Sequence, residues 1–151
     1  MKFLIPNDNL NEIMKFLILF TSVLLLTTPK EIFAEKLSCR DFKNGKFILV
    51  NKKTNKKYLI QKSKGLQKEE AFDLSTNKKI QKDRYYKIFW KSDCQFTLLL
   101  DLTKSPYDET DKYINSHGGY LCTIKKIEGK CAIIETQFEG DVFASEICKT
   151  Q

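Results

Sequence analysis

Short apolar and aromatic runs, separated by polar turns, constrain this chain more than any other feature. Residues 47–50, 58–60, 68–74, 85–90, 94–102, 120–127, 131–138 and 142–148 follow one another, rich in Ile, Phe, Tyr and Thr. Runs of that length and composition read as β-strands. Asn44-Gly45, Glu128-Gly129 and Glu139-Gly140 place glycine where a two-residue hairpin turn needs a positive backbone angle. Consecutive strands joined by short turns form an antiparallel meander. The expected fold is therefore mainly β, a small barrel or half-barrel with a lipocalin-like outline. One longer connection interrupts the strands. Ser105 as N-cap, Pro106 at the first helical position, Asp108 in a capping-box pattern and Gly118-Gly119 as the stop predict a short helix within residues 106–117.

Ahead of this lies an apolar run at residues 16–26, directly after Met14-Lys15 and before a polar, Pro-containing stretch ending at Ala34. A charged start, an apolar centre and a small residue at the cut make a secretory signal peptide, and the run is too short to span a bilayer. The reading is an exported protein, periplasmic or secreted rather than transmembrane. Residues 1–34 form the leader, with translation starting at Met1 or at Met14, and residues 35–151 form one domain. Lipid attachment at Cys39 is disfavoured, because Lys36 stands where an aliphatic residue is needed.

All five cysteines, Cys39, Cys94, Cys122, Cys131 and Cys148, fall in that domain. In an oxidising compartment this predicts two disulfides and one leftover thiol. No two cysteines are close enough for a zinc knuckle, and His117 is the single histidine, so no metal site is expected. Counting outward from a two-residue Glu139-Gly140 turn sets Cys131 opposite Cys148, at a position where side chains approach closely. The same count around Glu128-Gly129 misses Cys122. Elimination then leaves Cys39 with Cys94 and Cys122 free, although pairings that use Cys122 remain open.

Charge is uneven. Eleven basic residues and a single acid, Asp41, lie between positions 36 and 68, whereas residues 69–151 hold twelve basic and fourteen acidic residues. Lys52, Lys53, Lys56 and Lys57 are candidates for contact with an anionic partner, either an envelope component or an acidic protein. The competing reading is a solvated lysine face. Only Arg40 and Arg84 are arginines, which argues against specific nucleic-acid recognition.

Chemistry is sparse. There is no glycine-rich phosphate loop, nucleophile elbow or metal-ligand spacing, so neither a cofactor nor a catalytic residue is assigned. Glu69-Glu70 point to opposite faces of a strand and do not make a glycosidase pair. Cys122 with His117 is a conceivable thiol or hydrolytic centre, but His117 also suits a helix C-terminus. Aromatics on nearly every strand, among them Phe47, Tyr58, Tyr86, Phe96 and Phe138, either line a pocket for a small apolar ligand or fill the core. The leading expectation is a non-enzymatic exported protein acting by surface contact. A lipocalin-like carrier and a Cys122/His117 enzyme are the alternatives.

Three segments carry a resemblance. Residues 39–47 are similar to a C-x-x-F-K-x-G-K-F opening, Gln67-Lys68-Glu69 to a Q-x-E strand, and residues 90–96 to W-x-x-D-C-x-[FY]. Together they resemble small exported proteins of Bacteroidetes-type bacteria that have no assigned activity. One departure is Lys62, where an arginine is expected ahead of the Q-x-E. The resemblance implies an exported β-protein whose first two cysteines recur together, in line with a Cys39 to Cys94 bridge, and it implies no catalytic residue.

Overall fold

The computed structural model describes residues 36–150. The leader over residues 1–34 and the alternative start at Met14 lie outside the described residues. A short 3-10 helix, Cys39–Phe42, is followed by β1 (Gly45–Asn51), β2 (Lys56–Ser63), β3 (Leu66–Asp73), β4 (Arg84–Trp90) and β5 (Gln95–Leu100). Then come α1 (Glu109–Ser116), β6 (Tyr120–Glu128), β7 (Cys131–Phe138) and β8 (Asp141–Lys149). Each strand pairs antiparallel with the next. β8 pairs back onto β1 through Phe47 with Lys149, Ile48 with Cys148 and Leu49 with Ile147, closing an eight-stranded barrel. Closure removes the exposed edges that an open meander would leave. Among the described residues no helix is long and apolar enough to cross a membrane.

Strand alternation sends every second side chain inward. Phe47, Ile60, Ile88, Phe96, Cys122, Ile124, Ala132, Ile134 and Ile147 are all under 9% exposed and form one core cluster with Phe42. Phe42 is wholly buried and stacks on Phe47 with ring centroids 5.6 Å apart, so the 3-10 helix closes one end of the barrel. Two of the three segments that carry the resemblance, residues 39–47 and 90–96, meet at this end. The Cys39 and Cys94 sulfurs are bonded at 1.97 Å. Asp93 accepts from both Arg40 and Lys43 at 2.7 Å, and the Lys43 ammonium lies 5.0 Å from the Trp90 ring centre. The spacing of these motif residues thus serves an end cap.

The turns depart in part from expectation. Glu139-Gly140 is the two-residue loop that was predicted, both residues having positive φ, and it sets Cys131 opposite Cys148 with sulfurs 2.06 Å apart. The β6–β7 loop is Gly129-Lys130 rather than Glu128-Gly129, because Glu128 pairs with Cys131. Asn44-Gly45 makes no hairpin and leads from the 3-10 helix into β1. The β2–β3 hairpin turns instead on Lys64-Gly65, both with positive φ. A lysine in that conformation carries no composition signal, and the glycine beside it supplies the turn.

The helix exists, but its cap differs from the sequence expectation. Asp108 is the N-cap, accepting from the Asp111 N–H at 2.9 Å, while the Asp111 carboxylate accepts from the Asp108 N–H at 3.2 Å. Ser105 is buried and serves β4 instead, its hydroxyl accepting from the Tyr85 N–H at 2.7 Å and facing the Tyr85 carbonyl at 3.1 Å. Two capping residues three positions apart competed for one helix start. Both candidates have an acidic residue three positions on; the Tyr85 backbone engages the serine, which leaves the start to Asp108 and its reciprocal bond with Asp111. Asn115 then ties α1 to β5 through both backbone groups of Leu100, at 2.9 Å and 2.8 Å.

Gly119 makes the return from α1 to β6 possible. Its φ is +80°, and a Cβ there would run into the Leu98 carbonyl oxygen and lie 2.6 Å from a Leu99 methyl. Gly119→Ala is expected to cost about 2–3 kcal/mol, from backbone strain together with the displaced β5. A urea unfolding curve within 0.5 kcal/mol of wild type would show that this approach relaxes freely.

Candidate ligand site in the barrel interior

The strand register assembles a polar group inside the barrel. Lys62 pairs across β2–β3 with Gln67, and Gln67 pairs across β3–β4 with Tyr86. One step along, Ile60 pairs with Glu69 and Glu69 with Arg84. All of these share the inward parity of Ile60, Ala71 and Ile88, so five polar side chains converge from three adjacent strands. Cys122 reaches the same region from β6 and faces the Thr136 hydroxyl on β7 at 3.7 Å.

Burial dominates the electrostatics. Lys62 is 3% exposed, and among the described residues no carboxylate lies within 4.0 Å of its ammonium. It faces two rings instead, with Phe96 4.5 Å and Phe47 5.5 Å to the centroids. Desolvation lowers the Lys62 pKa to about 8, partly opposed by Cys122 and Glu69. The same effect pushes the Cys122 thiol up to about 11 and raises the Tyr86 phenol. Burial likewise raises the Glu69 carboxyl, against a 2.7 Å hydrogen bond from the Gln67 amide and the nearby Arg84 and Lys62. Arg84 binds Asp111 of α1 through a terminal nitrogen. Arg84 Nε and Gln67 Oε1 are buried with no hydrogen-bond partner. Unpaired polar atoms of this kind are costly unless something else satisfies them.

Exposure divides the interior into two halves. Toward the capped end the inward residues are buried. Toward the other end Ala71 and Leu100 are buried, whereas Tyr58, Glu69, Arg84, Tyr86, Tyr120 and Thr136 point inward yet remain in part solvent-accessible. On that side β1 covers only Ile147, Cys148 and Lys149 of β8. Phe143, inward by parity, is 60% exposed. The interior of the upper barrel is thus polar and tyrosine-rich beneath α1, with the buried Lys62 below it.

The residues singled out from sequence fall in different places. Cys122 and His117 are not brought together. His117 is exposed at the α1 C-cap, its Nδ1 2.8 Å from the Tyr113 carbonyl oxygen and 3.0 Å from the Ser116 hydroxyl, whereas Cys122 is 2% exposed inside the barrel. Of the four candidate lysines, Lys52 and Lys53 are exposed on the β1–β2 loop. Lys57 is engaged, donating to Asn77 and lying 5.5 Å from the Phe72 ring centre. Lys56 opens β2 with the inward parity of Tyr58, at the end of the barrel opposite the 3-10 helix. Cys131, Cys148 and Glu146 cluster within 4.8 Å, but both sulfurs are committed to the disulfide and cannot ligate a metal.

The interior cluster itself was missed as a site, because Lys62, Glu69 and Arg84 read as ordinary solvated charge. The available signal was the two-residue spacing of Gln67 and Glu69, which puts both on one strand face, preceded by Lys62. Compared with protein families, with curated proteins and with solved structures, the chain matches none.

Proposed function

We propose that this protein is a non-enzymatic carrier that binds a small molecule in the open half of its barrel, outside the cytoplasm. The observation that carries this reading is the partly solvated set of inward polar side chains with unpartnered donors and acceptors beneath it, since convergent polar groups beside aromatic side chains are what a ligand site needs. The polar lining favours a ligand that makes hydrogen bonds in addition to the apolar contacts of the carrier that stood as an alternative in the sequence. Two disulfides support an oxidising compartment. The non-enzymatic reading rests on the placement of His117 at an exposed helix end and of Cys122 inside the barrel, where burial raises the thiol's pKa.

A second reading, surface contact with an anionic envelope component or an acidic protein, is favoured by one observation. On the outer face Leu66 and Phe89 are 49% and 52% exposed. Lys87 stands opposite Leu66, and an adjoining groove of about 240 Å³ includes Lys64, Lys68 and Lys104. Native mass spectrometry of protein recovered gently from the producing cell separates the two. A carrier retains a small-molecule mass that denaturation releases. A bare polypeptide mass overturns the carrier reading. If it is accompanied by salt-sensitive retention on an envelope fraction, the function moves to the outer lysine face.

A further inference from the structure

We infer that the ligand of the interior site is a monoanionic amphiphile, with a carboxylate bridging Lys62 and Arg84 and an apolar or aromatic body against Tyr58, Tyr86 and Tyr120. The inference rests on the carrier reading and adds the chemical class.

Three features point to an anion. The Lys62 ammonium is almost wholly enclosed and meets aromatic faces without a close carboxylate. Arg84 spends a terminal nitrogen on Asp111 and leaves Nε buried without an acceptor. Glu69, on the strand between them, is driven toward its neutral form by burial and is already engaged by Gln67. Asp111 balances Arg84, and burial works against the charged form of Glu69, which leaves the enclosed Lys62 ammonium without a close countercharge.

A buried, unpaired charge is strongly unfavourable, and a single carboxylate offers both the countercharge and acceptors for two donors. A neutral ligand would leave the ammonium unpaired. A doubly charged phosphate would leave an excess negative charge in the same low-dielectric space. The tyrosines supply the complementary wall, apolar faces with hydroxyls at the wet rim.

Calorimetric titration of the full mature chain, stripped of bound small molecules, tests this with two matched pairs: decanoate against decan-1-ol, and cinnamate against cinnamyl alcohol. The carboxylate of at least one pair should bind tenfold or more tighter than its alcohol. Lys62→Met should erase that preference, and Lys62→Arg should keep it, with thermal melts verifying that both variants fold. An alcohol that binds as well as its acid, or a preference that survives Lys62→Met, overturns the anionic class while leaving a carrier in place. Binding of none of the four also overturns it, and the native mass spectrum then decides separately whether any ligand is carried.

Discussion

Replacing Cys39 and Cys94 together by Ala lowers the unfolding free energy by about 4 kcal/mol, against about 3 kcal/mol for the Cys131 and Cys148 pair. The difference follows from the chain each bridge closes, with sequence separations of 55 and 17. The longer loop takes more conformational freedom from the unfolded state. The folded state points the same way. The first bridge fastens the 3-10 helix whose Phe42 closes the barrel, whereas the second joins two strands that are already paired through eight register positions. The ion pairs at the capped end, Arg40 and Lys43 to Asp93, are exposed at Arg40 and Asp93 and partly buried at Lys43, and pairs this wet hold little by themselves. For a domain of this size either loss is a large share of its stability. Urea denaturation of the oxidised variants gives the comparison. A smaller cost for the 39/94 pair than for the 131/148 pair would mean that the unfolded chain is already compact near its N-terminus, or that the plug is loosely held.

Where local chemistry fixes geometry, the sequence could be read. Glu139-Gly140 accepts positive φ at both positions, so the register of the last hairpin and the pairing of Cys131 with Cys148 followed by counting. The succession of strands was visible because Ile, Phe, Tyr and Thr recur at strand length. What could not be read depends on partners distant in sequence. Closure of β8 onto β1 joins residues about one hundred positions apart and leaves no local signature. The choice between Ser105 and Asp108 as cap was decided by the Tyr85 backbone, which claims the serine. Lys62, Glu69 and Arg84 are the clearest case, since charged residues on a strand ordinarily face water. Only the pairing of β2, β3 and β4 shows that their shared face is the inner one. The motif residues around Cys39 and Trp90 were legible as a pattern, but their purpose as an end cap required the contact of Phe42 with Phe47.

Lys62→Met is expected to stabilise the ligand-free protein at pH 7 by about 3 kcal/mol, a gain that disappears by about pH 10.5. The Lys62 pKa falls from 10.5 to about 8 on folding, which means that below pH 8 the folded state carries a charge it has largely desolvated. Between pH 8 and 10.5 the folded protein has released this proton while the unfolded chain still holds it, so stability from this group rises with pH across that window. Above it both states are neutral and the penalty is gone. Methionine has similar length, fits against the rings of Phe47 and Phe96, and carries no charge at any pH. Part of the gain is offset because Glu69 loses a cationic neighbour. Chemical denaturation of both proteins at pH 7 and pH 10 measures the difference, in which the other titrating groups largely cancel. A variant that is less stable at pH 7, or equally favoured at both pH values, would mean that Lys62 is solvated or paired rather than enclosed. A stabilising substitution that abolishes carboxylate binding would show the physical reason for a lysine there: its burial is costly in the empty barrel and is offset when an anion arrives.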